Sequence, residues 1–213
     1  ACHATTLAEF QWCGDYPGYA QIELEQSQPG CQAMFWAGCG ADQNPLPRRT
    51  VELAMDYGRQ LAAAVNDVLD KDMKPVAAKL ATDFREVDLP LATLPTREQI
   101  EKDAQLTERK DRYTAARAKL LLTQMADGKP LSPTYPYPVQ VWRLGGDIQF
   151  ITLGGEVVVD FALRLKQELR GQRTWVAGYS NDVMAYIASR RVLQEGGYEG
   201  GGAMVYYGLP ASW

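Results

Sequence analysis

Among 213 residues there is one histidine, no CxxC pair and no excess of positive charge. Each absence excludes something. A net charge of −4 and a pI near 5.1 leave no basic face of the kind that nucleic-acid binding needs, so no nucleic-acid partner is expected. No apolar run approaches the ~18 residues of a membrane span, so no transmembrane segment is expected. Ala1-Cys2-His3 lacks the basic start and apolar stretch of a signal peptide. The four cysteines, Cys2, Cys13, Cys31 and Cys39, cluster near the start without the paired spacing of a zinc knuckle. Disulfides or buried free thiols both suit them, with buried thiols the preferred reading.

What remains is ordinary globular composition, 46% hydrophobic and 23% charged, with enough chain for a substantial core. Partial alternation over 20–26 and the apolar run QAMFWA at 32–37 read as two strands around a Gln28-Pro29-Gly30 turn. Thr50 caps a long helix with Val51, Met55, Gly58, Ala62, Val65 and Leu69 on one stripe. Residues 76–89 read as a strand. The Thr96-x-x-Gln99 capping box opens a second helix, running to about Met125.

After a proline-rich connector, 139–144 and 148–153 form a hairpin around Gly145-Gly146-Asp147. Gly154-Gly155-Glu156 then turns directly into a helix, 174–177 is a strand, and Asn181-Asp182 caps a helix that carries Tyr186. This order predicts a single α/β domain, a layered mixed β-sheet flanked by helices, with the active site at the C-terminal ends of strands. Asp42 and Asn44, Glu156, and Ser180 to Asp182 all follow predicted strands. A carboxylate, an imidazole (His3) and tyrosine hydroxyls meeting in one crevice suit a hard or borderline cation such as zinc. Each also has a plainer role: Glu156 is favoured at any helix start, and Tyr186 packs well in a core.

Four blocks together resemble the catalytic domain of the neutral/alkaline non-lysosomal ceramidase family, bacterial type. They are ACHATTL at 1–7, GCGADQNPLPRR at 38–49, LGGEVVVDFALRL at 153–165 and GYSNDVMAYIASRRVLQEGGYEG at 178–200. The resemblance implies a zinc-dependent amidohydrolase that cleaves the N-acyl bond of ceramide or a related N-acyl lipid. It implies zinc on His3, Glu156 and Tyr186, and Tyr198 facing the substrate carbonyl. It also implies that Asp42 and Asn44 line the pocket and that Arg48 and Ser180 contact substrate. Asn44 stands where the family has a serine, so another N-acyl amide is an alternative substrate. A non-catalytic binding or structural component that keeps the fold is the alternative function.

The family's first zinc histidine would lie upstream of Ala1. The chain is therefore expected to be the C-terminal portion of the catalytic domain, with another chain segment supplying that ligand. Family members of this type are exported, which implies a secreted or periplasmic location.

Overall fold

The computed structural model describes residues 2–171 and 173–213. In chain order the elements are α1 (Asp15–Ser27), α2 (Val51–Leu69), β1 (Leu80–Pro90), α3 (Arg97–Ala104), α4 (Arg112–Ala126), β2 (Thr134–Leu144), β3 (Ile148–Leu153), β4 (Glu156–Val157), α5 (Val159–Glu168), β5 (Arg173–Ala177), β6 (Tyr186–Ile187), α6 (Arg190–Glu195) and α7 (Met204–Tyr207). The main sheet has strand order β1-β2-β3-β5, with β3 and β5 parallel and the other pairs antiparallel. It is the mixed sheet flanked by helices that the sequence predicts.

Period-two side-chain alternation gives this sheet two unlike faces. Ile151, Leu153 and Val176 point into the core, where Tyr137, Val157, Met184 and Ile187 meet them. The opposite face carries the cross-strand row Thr82, Trp142, Phe150 and Trp175. Phe150 stacks on Trp175 at 5.9 Å, and Trp36 packs edge-on to Phe150 at 5.1 Å.

The 20–26 segment is a correction: it lies inside α1, not in a strand. Its Ala, Gln, Glu and Leu residues are helix formers, and Tyr16 and Ala20, one helical turn apart, are its buried contacts. They pack on α2, whose Thr50 cap accepts from the Leu53 N–H at 3.2 Å as expected. The close approach depends on Gly58, where a Cβ would meet the Tyr19 Cβ at 2.5 Å and the Ala20 nitrogen at 2.9 Å. Gly58→Ala should therefore destabilise by about 1–3 kcal/mol through overpacking, outweighing the up to ~1 kcal/mol gained from helix propensity. A melting temperature that does not fall would show that the two helices can separate freely.

Among the described residues, the 32–37 run is extended but joins no ladder, and an isolated bridge links Gly38 beside it to Ala177. Its aromatics are spent on Tyr16 and Phe150 instead. The strand expected over 76–89 starts later, at Leu80. The expected long helix from Thr96 is two helices, α3 and α4, with a 3-10 turn at Arg109–Asp111 between them. Folding back lets Ile100 of α3 bury against Ala118 and Leu121 of α4, which a straight helix could not do. The capping box is present as read: Thr96 accepts from the Gln99 N–H, and Gln99 accepts from the Thr96 N–H at 2.7 Å. The cysteines are free. Cys39 is buried, Cys2 is half-buried, and Cys13 and Cys31 are exposed, so buried thiols hold for only part of the set.

Candidate active site: a carboxylate among tyrosines

Glu156 does not open a helix. With Val157 it forms β4, which pairs in parallel with β6, and the register sets Glu156 directly opposite Tyr186. Tyr186 is correspondingly a strand residue, not part of a helix capped by Asn181-Asp182. Asp182 turns elsewhere: its carbonyl accepts from the Gly155 N–H at 2.7 Å, and its Oδ2 accepts from the Tyr135 hydroxyl at 2.6 Å. Gly155 makes the approach of the two strands feasible. Its φ is +71°, and a Cβ there would stand 2.6 Å from the Ala185 carbonyl oxygen.

Four phenols gather around the Glu156 carboxylate. The Tyr207 hydroxyl donates to Glu156 Oε1. Tyr186 stands opposite Glu156 across the β4–β6 pair, and Tyr179 is tied to the residue before Glu156 by its N–H bond to the Gly155 carbonyl at 2.9 Å. Tyr198 lies over Tyr186, with ring centroids 5.4 Å apart, and is 50% exposed. Burial first, and then the Glu156 charge, raise the pKa values of Tyr179, Tyr186 and Tyr207. For Tyr198, burial is joined by the neighbouring Tyr206 and then by Glu156. All four therefore carry their protons at neutral pH unless a cation displaces them.

His3 comes from the other end of the chain. Its N–H donates to the Gln43 carbonyl at 2.9 Å, and its ring Nε2 lies 2.8 Å from the Ala41 carbonyl oxygen. A carbonyl only accepts, so Nε2 carries the proton and Nδ1 keeps a free lone pair. Ala41 in turn donates to the Val157 carbonyl at 3.2 Å, which ties the histidine segment to β4. The segment is fixed by Asp15, 6% exposed, whose carboxylate accepts from the N–H groups of Thr5, Thr6 and Tyr16 at 2.8 Å each. His3, Tyr16, Phe35 and Tyr179 line one cavity of about 420 Å³. A second, apolar cavity of about 450 Å³ opens beside β6, lined by Leu89, Tyr137, Leu153, Phe161, Leu165 and Trp213 among others.

The other predicted residues are used differently. Asp42 Oδ1 accepts from the Val159 N–H at 2.8 Å, so it caps α5. Asn44 accepts from Arg48 at 2.6 Å in the neighbouring loop. Ser180 donates to the Gly178 carbonyl at 2.9 Å, closing its own turn. The structure thus brings together Glu156, Tyr186 and Tyr198, and adds Tyr179 and Tyr207, which sequence reasoning missed.

Among the described residues, no group of three or more His, Cys, Asp or Glu side chains is arranged to hold a metal ion. The oxygen donors beside Glu156 are phenols. A carboxylate faced by phenols is oxygen-donor chemistry that fits a hard or borderline cation, and the His3 imidazole, its Nε2 bonded to the Ala41 carbonyl, lies on a segment tied to β4 by the Ala41–Val157 bond.

No protein-family model matches the sequence, and no curated protein matches it significantly. Among solved structures the chain is similar to the neutral ceramidase from Pseudomonas aeruginosa, with a TM-score of 0.62 and 19% identity over 93% of this chain and 39% of that one. It is similar also to a ceramidase complexed with C2, with a TM-score of 0.63 and 17% identity over 97% of this chain and 43% of that one. The architecture is thus a ceramidase-like α/β fold. At these identities the likeness is one of fold, and the chain spans about two fifths of the length of the structures it matches.

Proposed function

We propose that the protein is a metal-dependent hydrolase of N-acyl amides, with ceramide or a related N-acyl lipid as substrate and zinc as its cation. The observation that carries the reading is the Glu156 carboxylate set opposite Tyr186 and ringed by phenols, on a ceramidase-like fold. Glu156, Tyr186 and the free Nδ1 of His3 are the residues that would hold the ion. A histidine from another chain segment would join them, in a secreted or periplasmic setting. A cation held there supplies Lewis-acid polarisation and an acidified water, the chemistry of metal-assisted amide hydrolysis.

The chain's own groups do the remainder. Tyr198, protonated and half exposed above Tyr186, is placed to donate a hydrogen bond to the oxyanion that develops on the amide carbonyl. Asp42, by capping α5, fixes the loop in which Asn44 and Arg48 present an amide and a guanidinium for polar groups of the substrate. Ser180 holds the turn from which Tyr179 projects. The apolar cavity beside β6 supports an acyl or alkyl tail.

The test is metal analysis of natively purified protein, paired with hydrolysis of a panel of N-acyl amides. Stoichiometric zinc with turnover of long-chain amides is expected; neither zinc nor turnover would remove the reading. Tyr198→Phe should cut turnover about 10²–10³-fold, as loss of one oxyanion donor does, with the zinc content unchanged. Loss of zinc instead would make Tyr198 a ligand.

A further inference from the structure

We infer that Tyr179 is a further oxygen donor to the ion held by Glu156 and Tyr186, reaching it from the side of the His3 cavity. The inference rests on the metal reading above and extends it. With Tyr179 the chain itself offers one imidazole, one carboxylate and two phenols, to which the histidine from another segment would add.

Backbone geometry is the first argument. Tyr179 has φ +54°, the left-handed region that a bulky residue rarely enters. Such conformations persist only where surrounding structure over-determines them, and they gather at functional sites. Here two bonds impose it: the Tyr179 N–H donates to the Gly155 carbonyl at 2.9 Å, and the Ser180 N–H donates to the Leu153 carbonyl at 3.1 Å. Both acceptors flank β4, so the turn after β5 is locked against the strand that carries Glu156. A turn that needed only a left-handed residue would be better served by glycine, and Gly178 stands immediately before. The tyrosine is therefore kept for its side chain.

Where that side chain goes is the second argument. It lines the cavity that contains His3, and the Tyr179 backbone N–H is bonded to the carbonyl of Gly155, the residue before Glu156; burial and then the Glu156 charge raise the Tyr179 pKa. It therefore joins the His3 cavity to the turn that leads into Glu156. Glu156 already has Tyr207 as a hydrogen-bond donor on Oε1, so a second phenol nearby is more than satisfaction of that oxygen requires. The donor chemistry is oxygen-rich and hard, suited to oxophilic cations. A ferric ion is thus a usable probe, since phenolate bound to Fe(III) gives visible charge-transfer absorption.

The experiment loads the full purified chain with Fe(III) and, separately, titrates it with zinc. The wild-type protein should show the phenolate-to-iron band. In Tyr179→Phe the band should fall by about half, since one of two phenol donors is gone, and the zinc affinity should drop at least about 10–100-fold. Tyr179→His should recover zinc binding without recovering the band. Tyr207→Phe, which removes a hydrogen bond and not a donor, should leave the band in place.

An undiminished band and unchanged zinc affinity in Tyr179→Phe would overturn the assignment while leaving the metal reading intact. If wild-type protein binds neither ion, the metal reading falls and this inference falls with it. If both ions bind but no N-acyl amide is turned over, the metal assignment stands and only the proposed reaction fails.

Discussion

On the proposed metal-hydrolase reading, Glu156→Ala is expected to empty the metal site and abolish hydrolysis together. The substitution removes the carboxylate that faces Tyr186 across the β4–β6 pair and leaves the Tyr207 hydroxyl without its acceptor. Loss of a group that merely orients a ligand costs about 10–100-fold in metal affinity or activity, and loss of the ligand itself should exceed that. The fold should survive, because β4 is held by its backbone: the Glu156 N–H donates to the Ala185 carbonyl at 2.8 Å and the Val158 N–H to the Ile187 carbonyl at 3.2 Å. Metal content and circular dichroism, measured side by side, separate the two effects. Glu156→Gln sharpens the test, since it keeps the shape and can still accept from Tyr207. Full zinc content in the glutamine variant would show that charge at this position is not what holds the ion.

Asp15→Ala should have the largest effect on stability. Its carboxylate accepts from three backbone N–H groups and from the Thr6 hydroxyl at 2.7 Å, all at a buried position. Hydrogen bonds to a charged group contribute about 1.5–3 kcal/mol each when cut singly, and here several buried donors would be orphaned at once. We expect a loss of about 3 kcal/mol or more, on the scale seen when a buried charged partner is removed, read as a fall in the urea midpoint.

The same residue sets an acid limit. Burial alone would raise the Asp15 pKa, but the Thr6, Thr5 and Tyr16 N–H groups and the Thr6 hydroxyl together bring it below the ordinary 3.8. The folded pKa is depressed, so the unfolded chain binds the proton more readily. The stability contribution is then complete above the unfolded value and is lost as pH falls through the folded one. Acid unfolding of the wild type should therefore steepen below about pH 4, and that component should vanish in Asp15→Asn. Because Asp15 holds the segment that presents His3, both variants should also weaken zinc binding.

Local signals proved readable where the chain satisfies itself locally. The Thr50 cap, the Thr96–Gln99 capping box and the hairpin around Gly145-Gly146 all rest on neighbours within a few residues. Helix α1 was hidden because Ala20-Gln21-Ile22-Glu23-Leu24 alternates like a strand, and what decides it is contact with Gly58 of α2. Tyr186 was misread for a related reason. A strand of two residues has no period of its own, and its partner Glu156 is distant in sequence.

The grouping of Glu156, Tyr186 and Tyr198 was legible only through family resemblance, since nothing in their spacing brings them together. Tyr207 lies past a glycine-rich stretch that reads as a flexible tail. Tyr179 looks like one more aromatic beside a glycine. Its left-handed backbone is a tertiary fact, and the nearest hint in the sequence is its place between Gly178 and the polar Ser180-Asn181-Asp182 turn.

The bond from Val159 back to Asp42 spans 117 positions of sequence, and the Ala41–Val157 bond beside it joins the same two regions. A folding chain must close that loop before the histidine end and the carboxylate end can meet, and long-range closures of this kind come late and slowly. The centre is therefore expected to assemble late. On the proposed metal reading, cation capture would become a kinetic marker of completed folding, and a cation bound only to the finished state would hold it there by mass action. In stopped-flow refolding, the zinc-dependent signal should lag behind formation of the 145–147 hairpin.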